Sequence, residues 1–261
     1  MIRIDCQGLP TDSLSGSQPI RDAIDCFVKH GYAILDNVMP EEKIRALNLE
    51  FLQSYAHLLH NKETDDSKAV GLSRYMMPLR FTGGFGDPQI FANPYVLAVV
   101  HEVLEEAAIL EAYGAIVSLP GATAQSPHTD GPHLFGAQIA AMLPAHALTM
   151  ALPLVEMNEH HGTTSFWPGS HRWLARNEQA EQIQPTIPVG SCLLWDFRLF
   201  HRGTENVSTG SRPMAYCTYS KSWYRDPVNF YNKRTMKRLM FDAGFLETLP
   251  EDARTLLSHV A

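Results

Sequence analysis

The first part of the chain alternates between helical and extended hydrophobic patterns. Residues 19–30 place apolar side chains at helical spacing, and Gly31 follows as a helix stop signal. Residues 31–39 (GYAILDNVM) favour a short strand because they contain β-branched and aromatic residues. Pro40 then begins a second predicted helix over residues 40–59, with acidic residues in its first turn, where the helix dipole favours negative charge.

The pattern becomes less regular over residues 61–92, which contain several glycines and predict a long loop or lid. A further helix is predicted at 94–106. Between residues 108 and 224 the chain is typical of short strands separated by Gly and Pro turn signals. We expect strands at 109–118, 134–140, 147–155, 192–197 and 213–223.

Strands at this spacing without intervening helices favour an antiparallel barrel or sandwich. Helical patterning returns from residue 228 onwards. The composition shows no linker-like shift, so we expect one domain over residues 1–261. Its parts are N-terminal helices and lid (about 1–107), a β core (about 108–225) and a helical tail (about 226–261). The predicted class is therefore mainly β with flanking helices.

The composition and charge of the chain argue against two classes of partner, nucleic acids and membranes. The chain has 261 residues, 45% of them hydrophobic, which is enough for one sizeable core. It carries a formal charge of −7, from 21 basic and 28 acidic residues, and no basic stripe, so we expect no nucleic-acid partner. No apolar stretch is long enough for a signal peptide or a membrane span, so we expect no membrane partner. The four cysteines form no CxxC pair and are expected to be reduced in a cytoplasmic protein.

The strongest local motif is SPHTDG at residues 126–131. His128 and Asp130 are two residues apart, so on an extended segment both side chains point to the same face. An imidazole and a carboxylate can then converge on one metal ion, and a second histidine would complete a facial triad. His201, at the end of the apolar run LLWDFRLFH, is the candidate; the alternative is a hydrogen-bonded core histidine.

Three segments together give the family resemblance. They are the HxD motif at 128–130, GTTSFWPGSHR at 162–172 and HRGTENVSTGSRPMAYCTYS at 201–220. The combination resembles the phytanoyl-CoA dioxygenase family, and the similarity extends over about residues 20–225. The resemblance implies a double-stranded β-helix (a jelly roll, as in cupins), with Fe(II), 2-oxoglutarate and O₂. It also implies that His128, Asp130 and His201 bind the iron.

The resemblance assigns the co-substrate anchor to Arg212, eleven residues after His201. A dicarboxylate needs a buried cation for its distal carboxylate, and the planar guanidinium suits that group. The alternative is a surface arginine before a proline. Gln125 and Thr149 are further candidates for binding 2-oxoglutarate, and each is equally well explained as a satisfied partner of the backbone.

Other polar and aromatic residues have open interpretations. His171 is expected to be structural, and His133 either lines the pocket or is a solvated turn residue. Arg74, Arg80 and Phe81 lie in the predicted lid, where they either hold an acidic or polar substrate or brace the loop. His160 and His161 are expected to have no special role. Trp223 and Tyr224 either wall the cavity or belong to the core.

The expected reaction follows from the carboxylate ligand. Related iron halogenases have a small residue at that position, so Asp130 favours hydroxylation or another oxidation of an unactivated C–H bond. We expect a small-molecule metabolite as substrate, with secondary metabolism as the favoured setting. Desaturation, epimerisation and ring formation stay open. The alternatives are a cupin-like jelly-roll metalloenzyme that does not use 2-oxoglutarate, and a non-catalytic metabolite-binding jelly roll. The sequence predicts no oligomeric state.

Overall fold

The computed structural model describes residues 2–59, 67–229 and 238–260. These residues form a mainly β structure with helices packed around it, as predicted. The strands are β1 Arg3–Asp5, β2 Tyr32–Asp36, β3 Lys68–Ala69, β4 Arg74–Pro78, β5 Ile109–Ser118, β6 Ala147–Pro153, β7 Thr164–Phe166, β8 Cys192–Asp196, β9 His201–Gly203 and β10 Arg212–Ser220. The helices are α1 Gln18–His30, α2 Glu41–Leu59, α3 Pro88–Phe91, α4 Pro94–Leu104, α5 Ala137–Ala140 and α6 Glu251–Thr255.

The strands form one large sheet and one small sheet. The large sheet has eight strands in the order β1-β2-β8-β6-β10-β5-β4-β3, and the small sheet pairs β7 with β9. Only the pairing of β1 with β2 is parallel among these ladders. Strand β10 lies centrally, between β5 and β6, so its side chains reach the middle of the sheet face.

The predicted helix stop at Gly31 is confirmed, and its cause is steric. Gly31 has φ 83°, in the left-handed region, and its N–H donates to the carbonyl of Phe27 at 2.7 Å. A Cβ at this position would lie 2.6 Å from both His171 Nδ1 and Leu199 Cδ1. Glycine is therefore required both for the turn and for close packing of α1 against the β core.

A hydrophobic cluster joins the N-terminal, central and C-terminal parts of the chain. It includes Ile4 of β1, Phe27 of α1, Leu148 of β6 and Leu257 near the C-terminus. Burial of each large apolar side chain contributes roughly 2 kcal/mol before the entropy cost of folding. The four cysteines are buried and unpaired. In the described part of the chain, no helix combines the length and apolar character needed to cross a membrane.

Two predicted elements are wrong. Residues 134–140 form a loop and the short helix α5 instead of a strand, because Ala, Gln and Ile after Gly136 favour a helical turn when no neighbouring strand offers a ladder. The predicted lid at 61–92 contains β3 and β4, although residues 61–66 lie outside the described ones. Strand β4 pairs with β5 in the large sheet. Its sequence, RYMMP, contains no β-branched residue and gave no strand signal.

The other strands over 109–223 are confirmed within a few residues, but β1, β7 and β9 were not predicted. Each has only three residues. In the predicted helical tail, residues 230–237 lie outside the described ones. The described remainder has only short helical turns, including α6.

Candidate active site

Two histidines are brought together by a backbone pairing. His128 and His201 form an isolated antiparallel bridge, in which each N–H donates to the other residue's carbonyl at 2.8 Å. Their ring centroids are 4.5 Å apart. The HxD segment therefore adds to the edge of the short β7–β9 sheet, and this explains how residues 73 positions apart in sequence share one site.

Asp130 completes the set. One ligand atom from each of His128, Asp130 and His201 lies within 4.8 Å of the others. Asp130 Oδ1 is 3.5 Å from His201 Nε2. His201 is buried, while His128 and Asp130 are half-buried and line a pocket. The structure thus brings together the three residues that the sequence predicted as metal ligands.

Backbone carbonyls fix the tautomers of both histidines. His128 Nδ1 lies 2.9 Å from the carbonyl of Ser126, and His201 Nδ1 lies 2.9 Å from the carbonyl of Leu199. A carbonyl only accepts, so each Nδ1 carries the proton and each Nε2 keeps a free lone pair. Burial lowers the pKa of His201, which favours the neutral form that binds metal.

Asp130 is oriented by two donors on one of its oxygens. Thr149 Oγ1 donates to Asp130 Oδ2 at 2.9 Å, and Trp195 Nε1 donates to the same oxygen at 2.7 Å. Thr149 and Trp195 are directly opposite each other on β6 and β8. Oδ1 is left facing His201. Two neutral imidazole nitrogens and one carboxylate oxygen suit Fe(II) and leave further coordination positions open, so the residues present fit this metal.

This orientation gives Thr149 a partner that the sequence did not suggest. Its hydroxyl proton is used by Asp130, so Thr149 is held beside the carboxylate, and a bond from Thr149 to 2-oxoglutarate stays a prediction. Trp195 was missed altogether. A tryptophan in the apolar strand CLLWD is expected to be an ordinary core residue. Only the strand register shows that its indole N–H reaches Asp130.

Arg212 lies in the same pocket as the three candidate ligands. It begins β10, is 1% exposed, and donates through Nη2 to Ser118 Oγ at 2.9 Å. Burial lowers its pKa to about 9, with a further contribution from nearby Arg74, so the group stays charged at neutral pH. The alternative of a surface arginine is wrong.

Arg74 is a second buried arginine in this pocket, on β4 and not on a lid. It is 1% exposed, and its Nη2 donates to the carbonyls of Thr204 at 2.6 Å and Thr123 at 3.1 Å. Burial lowers its pKa to about 10. Within the described ranges, neither Arg74 nor Arg212 forms an ion pair.

Gln125 is hydrogen-bonded to the backbone, as the alternative interpretation of this residue predicted. Its Nε2 donates to the carbonyl of Val70 at 2.8 Å, and its Oε1 accepts from the N–H of Gly203 at 2.9 Å. Gln125 lines the pocket, so contact with a co-substrate stays a prediction.

Several other residues with open interpretations lie away from the pocket. Arg80 is exposed and pairs with Asp242, while Trp223 is 64% exposed. His171 has Nε2 3.2 Å from the carbonyl of Val28. The remaining residues of this group do not line the pocket either: Phe81, His133, His160, His161 and Tyr224.

The sequence profile of the phytanoyl-CoA dioxygenase (PhyH) family matches residues 27–214. The match covers well over half of the chain, and the protein belongs to this family. The family uses Fe(II), 2-oxoglutarate and O₂.

Individual relatives agree with the family. The chain is 24% identical over 179 residues to dioxygenase af480 of Aspergillus fumigatus, which covers 66% of this chain and 55% of that protein. The chain thus spans about half the length of this curated relative. Among solved structures, the 2-oxoglutarate-dependent epimerase SnoN of nogalamycin biosynthesis is similar, with TM-score 0.58 and 17% identity over 80% of this chain and 86% of that one. SnoN in complex with Fe³⁺, 2-oxoglutarate and a nogalamycin compound matches equally well, at 16% identity. These neighbours confirm the jelly-roll fold.

Proposed function

We propose that this protein is an Fe(II)- and 2-oxoglutarate-dependent dioxygenase that hydroxylates an unactivated C–H bond of a small-molecule metabolite. His128, Asp130 and His201 hold the iron, and Arg212 binds the distal carboxylate of 2-oxoglutarate. The observation that carries the proposal is the arrangement of one pocket. Three convergent ligand atoms and a buried, charged Arg212 with no acidic partner among the described residues line the same cavity.

Iron would supply the oxidising chemistry, by coupling the reduction of O₂ to the oxidative decarboxylation of 2-oxoglutarate and the oxidation of the substrate. The chain's own residues prepare the site for it. Ser126 and Leu199 carbonyls keep both imidazoles with Nε2 unprotonated. Thr149 and Trp195 hold Asp130 with one oxygen turned toward His201. Because these bonds are already made, little reorganisation accompanies metal binding.

The substrate proposal rests on the pocket lining and on the family. Beside the polar groups, the pocket is lined by Met76, Ile116, Phe197, Met214 and Tyr216. Apolar surface interspersed with polar and charged side chains suits a small organic molecule. SnoN belongs to nogalamycin biosynthesis, and this supports secondary metabolism as the setting. SnoN is an epimerase, so epimerisation is the main competing outcome of the same C–H oxidation.

Formation of succinate tests the reaction class. Aerobic protein supplied with Fe(II), 2-oxoglutarate and a metabolite extract should form succinate, and His128→Ala should form none above the protein-free background. The matched control is His160→Ala, since His160 is exposed and outside the pocket. Full succinate formation by His128→Ala would remove His128 from the ligand set.

Labelled dioxygen tests the outcome. Hydroxylation should place one ¹⁸O atom from ¹⁸O₂ in a new metabolite that appears only with active protein and 2-oxoglutarate. A product of unchanged mass and altered stereochemistry would instead favour epimerisation.

We also propose that residues 1–261 act as one oxygenase domain. The hydrophobic cluster that joins Ile4, Leu148 and Leu257 supports this view. The cytoplasmic location stays a prediction.

A further inference from the structure

We infer that the substrate carries a cationic amino group, which binds the carboxylate of Asp226, with the Tyr216 hydroxyl as a second acceptor. This inference rests on the proposed function and adds a substrate class to it. It makes Asp226 and Tyr216 residues that decide specificity, and neither was among the candidates from the sequence.

Asp226 presents a buried carboxylate to the pocket. It follows strand β10, is 1% exposed and lines the cavity. No ion pair to Asp226 is found across residues 2–59, 67–229 and 238–260, and this includes the pocket arginines Arg74 and Arg212. A buried charge without an ion-pair partner disfavours the folded state, and a cationic ligand would offset that cost.

The backbone of Asp226 is fixed on both sides. Its N–H donates to Glu111 Oε1 at 2.9 Å, and its carbonyl accepts from Arg238 Nη2 at 2.7 Å. Glu111 is itself 1% exposed and lies where the ladder between β5 and β10 shifts register. A bulge of this kind turns a side chain in a new direction. The Asp226 carboxylate is therefore held in place before any ligand binds.

One acceptor position of the Asp226 carboxylate remains free. Oδ1 accepts from the backbone N–H groups of Val228 at 2.8 Å and Asn229 at 3.1 Å, and Oδ2 accepts from Asn229 Nδ2 at 2.7 Å. A carboxylate has about four acceptor sites, so these three donors leave one. The donors are neutral and do not cancel the charge. An ammonium group would supply both the missing donor and the positive charge.

The Tyr216 hydroxyl is a second polar group of the pocket without a partner. Tyr216 is 6% exposed, and its hydroxyl forms no hydrogen bond to the described residues. Gly114 is directly opposite on β5 and makes room for it, since a Cβ there would lie 2.6 Å from the hydroxyl oxygen. Burial, together with the charge of Asp226, raises the pKa of Tyr216, so its oxygen is a neutral acceptor.

The aromatic lining favours the same ligand. The rings of Tyr216 and Phe197 both line the pocket. Aromatic faces attract ammonium groups, and this attraction grows when the cation is removed from water. A carboxylate, a free phenol oxygen and aromatic rings in one cavity therefore suit an amine better than a neutral group of the same shape.

The competing explanation is that Asp226 only shapes the turn after β10. That turn reaches the metal site, because Asn229 Nδ2 also donates to the carbonyl of Asp130 at 2.9 Å. A turn-shaping role predicts that loss of the Asp226 carboxylate weakens every ligand of the pocket to the same extent. An amine subsite predicts a selective loss of cation binding. The ratio of the affinities for a cation and a neutral molecule of the same shape separates the two explanations.

The experiment measures dissociation constants for benzylamine and benzyl alcohol by calorimetry, with anaerobic protein loaded with Fe(II) and 2-oxoglutarate at neutral pH. The two probes have the same shape, and only the amine is charged at this pH. The natural protein should bind benzylamine at least about 10-fold more tightly, and Asp226→Asn should lose about 10-fold of that preference. Asp242→Asn is the matched control, because Asp242 is exposed and outside the pocket, and it should keep the full preference.

Asp226→Ser covers the case in which the asparagine variant does not fold. A serine hydroxyl can still accept from the N–H groups of the turn but carries no charge, so the preference should fall to the same extent. Tyr216→Phe removes only the second acceptor. An ammonium has three N–H donors and an alcohol has one, so this variant should reduce the preference by about 3-fold. An unchanged preference in Tyr216→Phe would remove Tyr216 from the subsite.

Binding of 2-oxoglutarate, measured by calorimetry before the probes are added, reports on the proposed function separately. With 2-oxoglutarate bound, an unchanged preference in a folded Asp226 variant overturns the amine subsite and leaves the proposed function intact. Equal affinity of the natural protein for the two probes, or binding of neither, does the same. If 2-oxoglutarate itself does not bind to the natural protein, the proposed function fails together with the amine subsite.

Discussion

Two rows of side chains across the large sheet mark the two ends of one pocket, and they differ in what they leave unsatisfied. At the metal end, Thr149 and Trp195 stand opposite each other and both donate to Asp130. At the arginine end, Arg74 and Arg212 stand on either side of Ser118 and have no acidic partner among the described residues. In the proposed function, the first row serves the binding of a cation and the second the binding of an anion.

A single sheet face thus presents groups that suit opposite charges. Strand β10 contributes Arg212 at one end of the pocket and Thr218, opposite Thr149, at the other. Six residues of extended chain separate these positions, so both side chains point to the same face of the sheet. The two preferences are therefore separable by mutation.

Loss of the carboxylate should have the largest effect, and only at the metal end. Asp130→Ala should lower Fe(II) affinity by at least about 100-fold, because loss of even an outer partner of a ligand typically costs 10- to 100-fold. Metal content after equilibrium dialysis measures it. Asp242→Ala is the control, since Asp242 is an exposed acid that pairs with Arg80. Iron retained at the natural level by Asp130→Ala would exclude Asp130 as a ligand.

Loss of the Trp195 indole N–H should lower Fe(II) affinity less than loss of the Asp130 carboxylate does. Trp195→Phe removes one bond to Asp130 Oδ2 and should lower Fe(II) affinity by about 10-fold. The same dialysis measurement applies. Trp167→Phe is a matched control, because Trp167 is also buried and its Nε1 has no hydrogen-bond partner in the described part of the protein. Equal losses in both variants would mean that indole packing, and not the bond to Asp130, matters.

A methyl group added at Gly203 should weaken the binding of 2-oxoglutarate and leave the binding of Fe(II) unchanged. A Cβ at Gly203 would lie within contact distance of Arg74 Nη1 and 2.8 Å from Gln125 Oε1, so Gly203→Ala should displace the guanidinium. We expect 2-oxoglutarate affinity to fall by about 3- to 10-fold, as for loss of one hydrogen bond, with Fe(II) affinity unchanged. Calorimetry with each ligand measures both.

Gly210→Ala serves as the control for that variant. Gly210 lies in the turn before β10 and has no neighbour within 4 Å of an added Cβ. The separation of the two ends would be contradicted if Gly203→Ala reduced iron affinity as much as 2-oxoglutarate affinity.

His146 lies outside both rows, and it is a buried titratable group whose Nε2 has no hydrogen-bond partner among the described residues. Burial lowers the pKa of His146 to about 4. As the pH falls below about 6.5, the unfolded chain takes up a proton that the folded protein does not, so the free energy of unfolding declines until about pH 4. His146→Leu should therefore be less sensitive to acid.

The expected difference is about 1 kcal/mol at about pH 5.5. Urea unfolding of the natural protein and of His146→Leu, at neutral pH and at this acidic pH, measures it. Parallel losses of stability in the two proteins would show that His146 is protonated in the folded state.

The sequence anticipated the parts of this molecule that depend on local patterns. Strands β5, β6, β8 and β10 were recognisable in the sequence because each contains a run of apolar residues. The set His128, Asp130 and His201 was recognisable because two of these candidate ligands share a motif and the third lies at a strand end. The family profile over residues 27–214 confirms the resemblance that these motifs carried.

The parts that were missed depend on pairing between distant segments. Strand β4 has no strand signal of its own and is defined by its ladder to β5, so Arg74 seemed to lie on a loop. Residues 134–140 had a strand-like composition but no partner strand. Likewise, Thr149 and Trp195 became partners of Asp130 only through the register of β6 and β8.

We propose that one pocket holds Fe(II) through His128, Asp130 and His201 and the distal carboxylate of 2-oxoglutarate through Arg212. The most direct measurement is an anaerobic titration of metal-free protein with Fe(II) and then 2-oxoglutarate, followed by visible absorption. We expect a weak charge-transfer band that appears only when both are present and is absent from His128→Ala. Iron binding without any band on addition of 2-oxoglutarate would contradict it, and would favour a jelly-roll metalloenzyme that does not use this co-substrate.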